Sequence, residues 1–238
     1  MSVPPVSTMR HGNGLVGPAL AAERPSRRFQ WFAGLCALLA AGLCLTVLAG
    51  WARGWMVLAS FGRGLLPMAP STALLSLLLA AALLIGPRIR RVSAALSLGV
   101  AAAGLALFAQ WAIQAGDVEH WLVPARPFSA SISMGRISPL TAASLCALGV
   151  ALFLAVPRRR NSSAAGAAAS LATGVGLVGL IAVDGYVNLS PFLYGGTITP
   201  MALPTALVMG LFGAGVVAAA GPSAWPPRAF VGPAVRAR

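Results

Sequence analysis

Six apolar runs divide the chain: residues 32–50, 71–87, 92–115, 139–156, 165–187 and 203–221. Each is close to the length of about 20 residues that crosses a hydrocarbon core. The polar stretches between them alternate in size. Those around residues 88–91 and 157–164 are short, whereas 51–70, 116–138 and 188–202 are longer. Short connectors force consecutive helices to be antiparallel neighbours. The pattern therefore predicts an all-α membrane protein of six transmembrane helices in three tandem helical hairpins, with repeats at about 31–87, 92–156 and 165–221. Residues 1–30 are polar, rich in Pro and Arg and without periodicity, which predicts a disordered cytoplasmic tail. Residues 222–238 read as a second, Pro-rich cytoplasmic tail. Ser26-Arg27-Arg28 has the look of a twin-arginine export signal, but Gln30 and Trp31 stand where its apolar pair would be. An uncleaved signal anchor is the expectation.

A short phrase opens the second run of every hairpin. Its copies are Met68-Ala69-Pro70-Ser71-Thr72-Ala73, Ile137-Ser138-Pro139-Leu140-Thr141-Ala142 and Met201-Ala202-Leu203-Pro204-Thr205-Ala206. The threonines at 72, 141 and 205 stand 69 and 64 residues apart, which is room for two spans and their loops. Proline suits the first helical turn because its missing N–H would have no intrahelical partner there. A nearby hydroxyl relieves the exposed amides, and alanine lets a neighbouring helix approach. Pro70, Thr72, Pro139, Thr141, Pro204 and Thr205 are thus read first as helix starts. A second reading stays open beside it, in which three helix N-termini converge under the outer loops and receive an anionic or polar ligand.

Composition changes the choice of solvent. Apolar residues are 58% of the 238, charged residues 9%, and the mean hydropathy is +0.84. A water-facing surface needs about a quarter charged residues, so lipid is the expected surroundings. The net charge of +13 comes with 17 basic residues, all arginine, a usage suggestive of a GC-rich bacterial genome. Arg10, Arg24, Arg27, Arg28, Arg88, Arg90, Arg91, Arg158, Arg159, Arg160, Arg228, Arg236 and Arg238 lie on one side of the expected spans. Only Arg53, Arg63, Arg126 and Arg136 lie on the other. This asymmetry predicts both termini in the cytoplasm of a bacterial inner-membrane protein. It also excludes nucleic acid as a partner, since no basic face with stacking aromatics accompanies the charge. Cys36, Cys44 and Cys146 fall inside apolar runs, without metal or disulfide spacing.

Packing signals are plentiful. Gly166, Ser170 and Gly174 recur every fourth residue, as do Ala206, Gly210, Ala214 and Ala218, a spacing that lets membrane helices pack closely. Gly174, Gly176 and Gly179 match a dinucleotide fingerprint but lack the preceding strand and following acid, so they too read as packing. Polar chemistry is scarce. The second outer loop holds Asp117, Glu119, His120 and Arg126; the third hairpin holds Asp184, Tyr186 and Tyr194. Asp117, His120, Arg126, Asp184, Tyr186 and Tyr194 are the candidate ligand-binding residues, because intramembrane or membrane-edge polar groups are usually paired or functional. Asp117, Glu119 and His120 are too close in sequence to cage a metal, and no metal or cofactor is expected. No Ser-His-Asp set, HExxH or phosphate-cradling loop occurs, so no enzyme is expected either.

The three phrases in order, with Tyr194-Gly195-Gly196 leading into Pro200-Met201-Ala202-Leu203-Pro204-Thr205-Ala206-Leu207, resemble the N-terminal multi-pass membrane sensor region of bacterial sensor histidine kinases. Similar regions precede PAS, GAF or diguanylate cyclase outputs. The resemblance spans residues 31–221. It implies a sensory, signal-input module whose last span addresses a cytoplasmic kinase or cyclase output module, with the lipid bilayer and a second copy of the chain, as a homodimer, as further partners. In that family a histidine-bearing helix and an ATP-binding domain follow the last span, whereas this sequence stops at Arg238. No kinase activity is therefore expected of it. A truncated sensor region, a remnant and a free-standing subunit stand as alternatives, and a small multi-pass transporter or structural membrane subunit is the competing reading.

Overall fold

The computed structural model describes residues 27–113, 126–127, 133–134, 137–155, 162–188 and 199–221. The apolar runs fold as helices α1 (Arg27–Arg53), α3 (Pro70–Ile85), α4 (Arg90–Ala112), α5 (Pro139–Ala155), α6 (Ser162–Val187) and α7 (Leu203–Ala220). A short helix that the hydropathy pattern does not show, α2 (Met56–Ser60), lies in the loop between α1 and α3 and packs on α1. The loop expected at 116–138 contains a two-residue antiparallel ladder, β1 (Arg126–Pro127) with β2 (Ser133–Met134), pairing Arg126 with Met134.

Helix lengths divide the six into two kinds. Three first helices, α1, α4 and α6, run 27, 23 and 26 residues; the second helices, α3, α5 and α7, run 16, 17 and 18. At 1.5 Å per residue the second set spans about 24–27 Å. Four helices, α1, α4, α6 and α7, are long and apolar enough to cross a membrane, while α3 and α5 fall short of that length. Four of the six expected spans thus reach full membrane-crossing length, and the other two are shorter apolar helices. The proline phrases start these helices where expected, and the extended residues leading to them (Leu66, Met68 and Ala69; Ile137 and Ser138; Met201 and Ala202) are buried in the protein. Non-helical backbone is tolerated at such depth only when protein covers it.

The three hairpins close into a ring. α1 packs on α3, α4 on α5 and α6 on α7; then α3 meets α4, α5 meets α6, and α7 returns to α1. The three second helices also touch one another at the centre. The tandem repeat is thus expressed as an approximate three-fold arrangement, short helices inside and long ones outside. Packing follows suit. Phe212, Met209, Leu145, Leu148 and Leu79 of the inner helices are fully buried, whereas Leu38, Leu45, Leu105, Leu177 and Leu180 of the outer helices are exposed. Among the described residues the buried polar ones are all serines and threonines, including Ser76, Ser93 and Ser97. An apolar outer surface of this extent fits contact with a lipid bilayer.

Glycine sets the closest approaches, though not always the glycines whose spacing drew attention. Nothing lies within 4 Å of where a side chain would begin at Gly166 or Gly174. The α6–α7 contact runs instead through Gly176 against Gly213 and Gly179 against Ala206 and Gly210. Ala214 is exposed. Gly104 and Gly149 bring α4 and α5 together in the same way, with added Cβ atoms standing 2.7 Å from the Cys146 nitrogen and 2.6 Å from the Ala101 nitrogen. At the opposite end from the proline phrases, the Ser93 hydroxyl donates to the Ala82 carbonyl at 2.7 Å and ties the start of α4 to the end of α3.

Candidate functional site

Each phrase builds one third of a common site. Pro70 and Pro139 open α3 and α5, and Pro204 is the second residue of α7. Thr72, Thr141 and Thr205 are each the third residue of their helix. The first i→i−4 hydrogen bond of each helix then closes on the alanine of the phrase: Ala73 to Ala69 at 3.1 Å, Ala142 to Ser138 at 3.0 Å and Ala206 to Ala202 at 2.9 Å. Three helices thus begin with the same local chemistry, and ring closure brings all three beginnings to one place.

There the threonines line a single small cavity, with Ala69, Ser138 and Ala202 one turn before them and Pro67 and Pro200 at its edge. Its volume is about 10 Å³ for the centre of a water-sized sphere, on the order of one water molecule. Thr72, Thr141 and Thr205 are all at least 98% buried. The Ser138 hydroxyl, also buried, has no hydrogen-bond partner. Neither Ala69 nor Ala202, the N-caps of α3 and α7, supplies a side-chain cap, and none of the three helices carries an acid in its first turn.

Two aromatic residues hold the lead-in segments at matched positions. The Trp51 indole Nε1 donates to the Met68 carbonyl at 2.8 Å, and the Tyr186 hydroxyl donates to the Met201 carbonyl at 2.8 Å. Met68 and Met201 both stand four residues before their threonine. Each donor sits near the C-terminal end of a long helix on the outside of the ring, so α1 and α6 set the height at which α3 and α7 begin. The Met68 amide completes the anchor by donating to the Ala59 carbonyl of α2 at 3.0 Å.

The candidate residues read from the sequence are thus placed unevenly. The six helix-start residues all lie at the ends that meet around the cavity, with the threonines on its wall. Tyr186 positions a helix start through its hydroxyl. Asp184 is exposed near the C-terminal end of α6, where its backbone carbonyl accepts from the Asn188 backbone amide at 2.9 Å. Asp117, His120 and Tyr194 lie outside the described residues, and Arg126 is described only by its backbone. Among the described residues no three His, Cys, Asp or Glu side chains gather as a metal site. Sequence reasoning missed Ser138 and the anchoring role of Trp51. Alignment of the repeats on the threonine offers a signal for the first: position −3 is Ala69, Ser138, Ala202, and only the middle copy is polar. No family model matches the chain, and neither the curated proteins nor the solved structures contain a match to it.

Proposed function

We propose that this chain is a membrane-embedded signal-input module: three hairpins crossing a bacterial inner membrane six times, with both termini cytoplasmic and the proline phrases toward the outside. One observation carries the reading. Thr72, Thr141 and Thr205, one from each hairpin, meet around one cavity at one end of the bundle. A perturbation there acts on all three inner helices together. Helices are stiff, and packed interfaces move between discrete arrangements rather than deforming continuously. Displacement at the shared end is therefore delivered to the opposite end, where α7 finishes at Ala220. The resemblance to sensor-kinase membrane regions and the one-sided arginines support the same reading.

The test is a fusion of residues 1–221 to a kinase or cyclase output module in bacterial membranes. Thr141→Val and Thr205→Val should shift basal output several-fold, whereas Leu177→Val on the lipid-facing side of α6 should not. Unchanged output in both threonine variants removes the support for signalling. Substrate-dependent flux in proteoliposomes, lost in Asp184→Asn, would replace the proposal with a transporter.

A further inference from the structure

We infer that the cavity between the three inner-helix starts is a binding site for one small monatomic anion of halide size. The first argument is charge. A helix N-terminus carries about +0.5 of an elementary charge in its first turn. Three such first turns line this cavity, whereas the oppositely charged C-terminal ends of α1, α4 and α6 lie at the same end of the bundle but do not line it. Elsewhere such ends are relieved by water, by an acid in the first turn or by a side-chain cap. Here the surroundings are buried, no first turn carries an acid, and alanines occupy the caps of α3 and α7. Bringing three like partial charges together in a low-dielectric interior is unfavourable unless a negative charge sits among them.

The second argument is independent of the helix ends. Ser138 is 96% buried on the cavity wall, and its hydroxyl donates to nothing. A buried hydroxyl without a partner is uncommon in folded proteins and marks a missing ligand or water. Size then selects the occupant. Room for about one water-sized particle is too small to take in sulfate, phosphate or a carboxylate metabolite whole. A water molecule would satisfy Ser138 but brings no negative charge to the three first turns on the cavity wall. A halide does both, accepting from the serine hydroxyl while offsetting most of the gathered charge. Such a site does not depend on the chain passing a signal, and it would tie the three hairpins together by one shared ligand.

The test uses the full chain in detergent micelles, with chloride, bromide, sulfate or gluconate exchanged at constant ionic strength. Chloride and bromide should raise the unfolding temperature saturably, and sulfate and gluconate should not. Ser138→Ala should weaken the halide response about fivefold to tenfold in half-saturating concentration. In gluconate the same variant should unfold no lower than the parent, because the lost hydroxyl makes no bond. Crystals soaked in bromide should show an anomalous peak beside Ser138, a readout that does not require any variant to fold. Equal unfolding temperatures in all four anions would overturn the inference and leave a water-filled cavity. So would a halide response untouched by Ser138→Ala and Thr141→Val, since the anion would then act elsewhere, at the arginines.

Discussion

Adding one methyl group at Gly149 tests the architecture at one of its tightest points. A Cβ there would stand 2.6 Å from the Ala101 nitrogen, 2.7 Å from the Ser97 oxygen and 2.9 Å from the Ala101 Cα. Ordinary contact for such an atom begins near 3.4 Å, so α4 and α5 must part by about 0.8 Å. All three obstacles are backbone atoms, which cannot turn aside as a side-chain end would. Overpacking of this kind costs about 1–3 kcal/mol. The gain in helix propensity from glycine to alanine returns about 1 kcal/mol or less. Gly149→Ala should therefore destabilise by about 1–2 kcal/mol. Gly99→Ala on α4 and Gly174→Ala on α6 are the matched controls, because nothing lies within 4 Å of either new atom. Both should be neutral or stabilising by up to about 1 kcal/mol. The assay is reversible unfolding in mixed micelles, followed by circular dichroism. A Gly149→Ala protein as stable as Gly99→Ala would refute the close packing of α4 on α5, and the inner-outer ring with it.

Trp51→Phe and Tyr186→Phe each strip the donor from a carbonyl in a lead-in segment, and each should cost about 1–2 kcal/mol in the same assay. Equal stability in both variants would mean that α1 and α6 do not set the height of α3 and α7. Asp184→Asn should change stability by less than about 0.5 kcal/mol, since the residue is exposed and its carbonyl contact is unaltered by the substitution. In topology mapping, reporter fusions after Arg91 and Arg160 should read cytoplasmic and one near Arg126 periplasmic. The opposite assignment would invert the membrane orientation proposed above.

Much of the fold is written locally. The 20-residue apolar runs have nowhere to go but into helices, and the observed α1, α3, α4, α5, α6 and α7 begin and end close to the expected boundaries. The proline phrase is equally local, since the first-turn position of Pro70, Pro139 and Pro204 follows from the missing N–H alone. What escaped was anything set by a neighbour. Gly166 and Gly174 have the spacing of a packing stripe, yet the contact face of α6 is the one through Gly176 and Gly179. Periodicity marks a small-residue face but not which of two such faces meets a partner. α2 was illegible because five residues hold no helix by themselves; it persists on its packing against α1.

The sequence by itself determined that the chain is helical and apolar, that it is built from three copies of one hairpin, and that each copy starts its second helix with the same few residues. Covalent neighbours and the alternative of water or lipid are enough to decide such matters. Only the tertiary structure decided that the second helices are the inner ones, that their starts meet, and that Thr72, Thr141, Thr205 and Ser138 surround one cavity. The three threonines lie 69 and 64 positions apart from copy to copy. Ring closure between α1 and α7, a contact between the first and last described helices, is what brings them within reach of a single ligand.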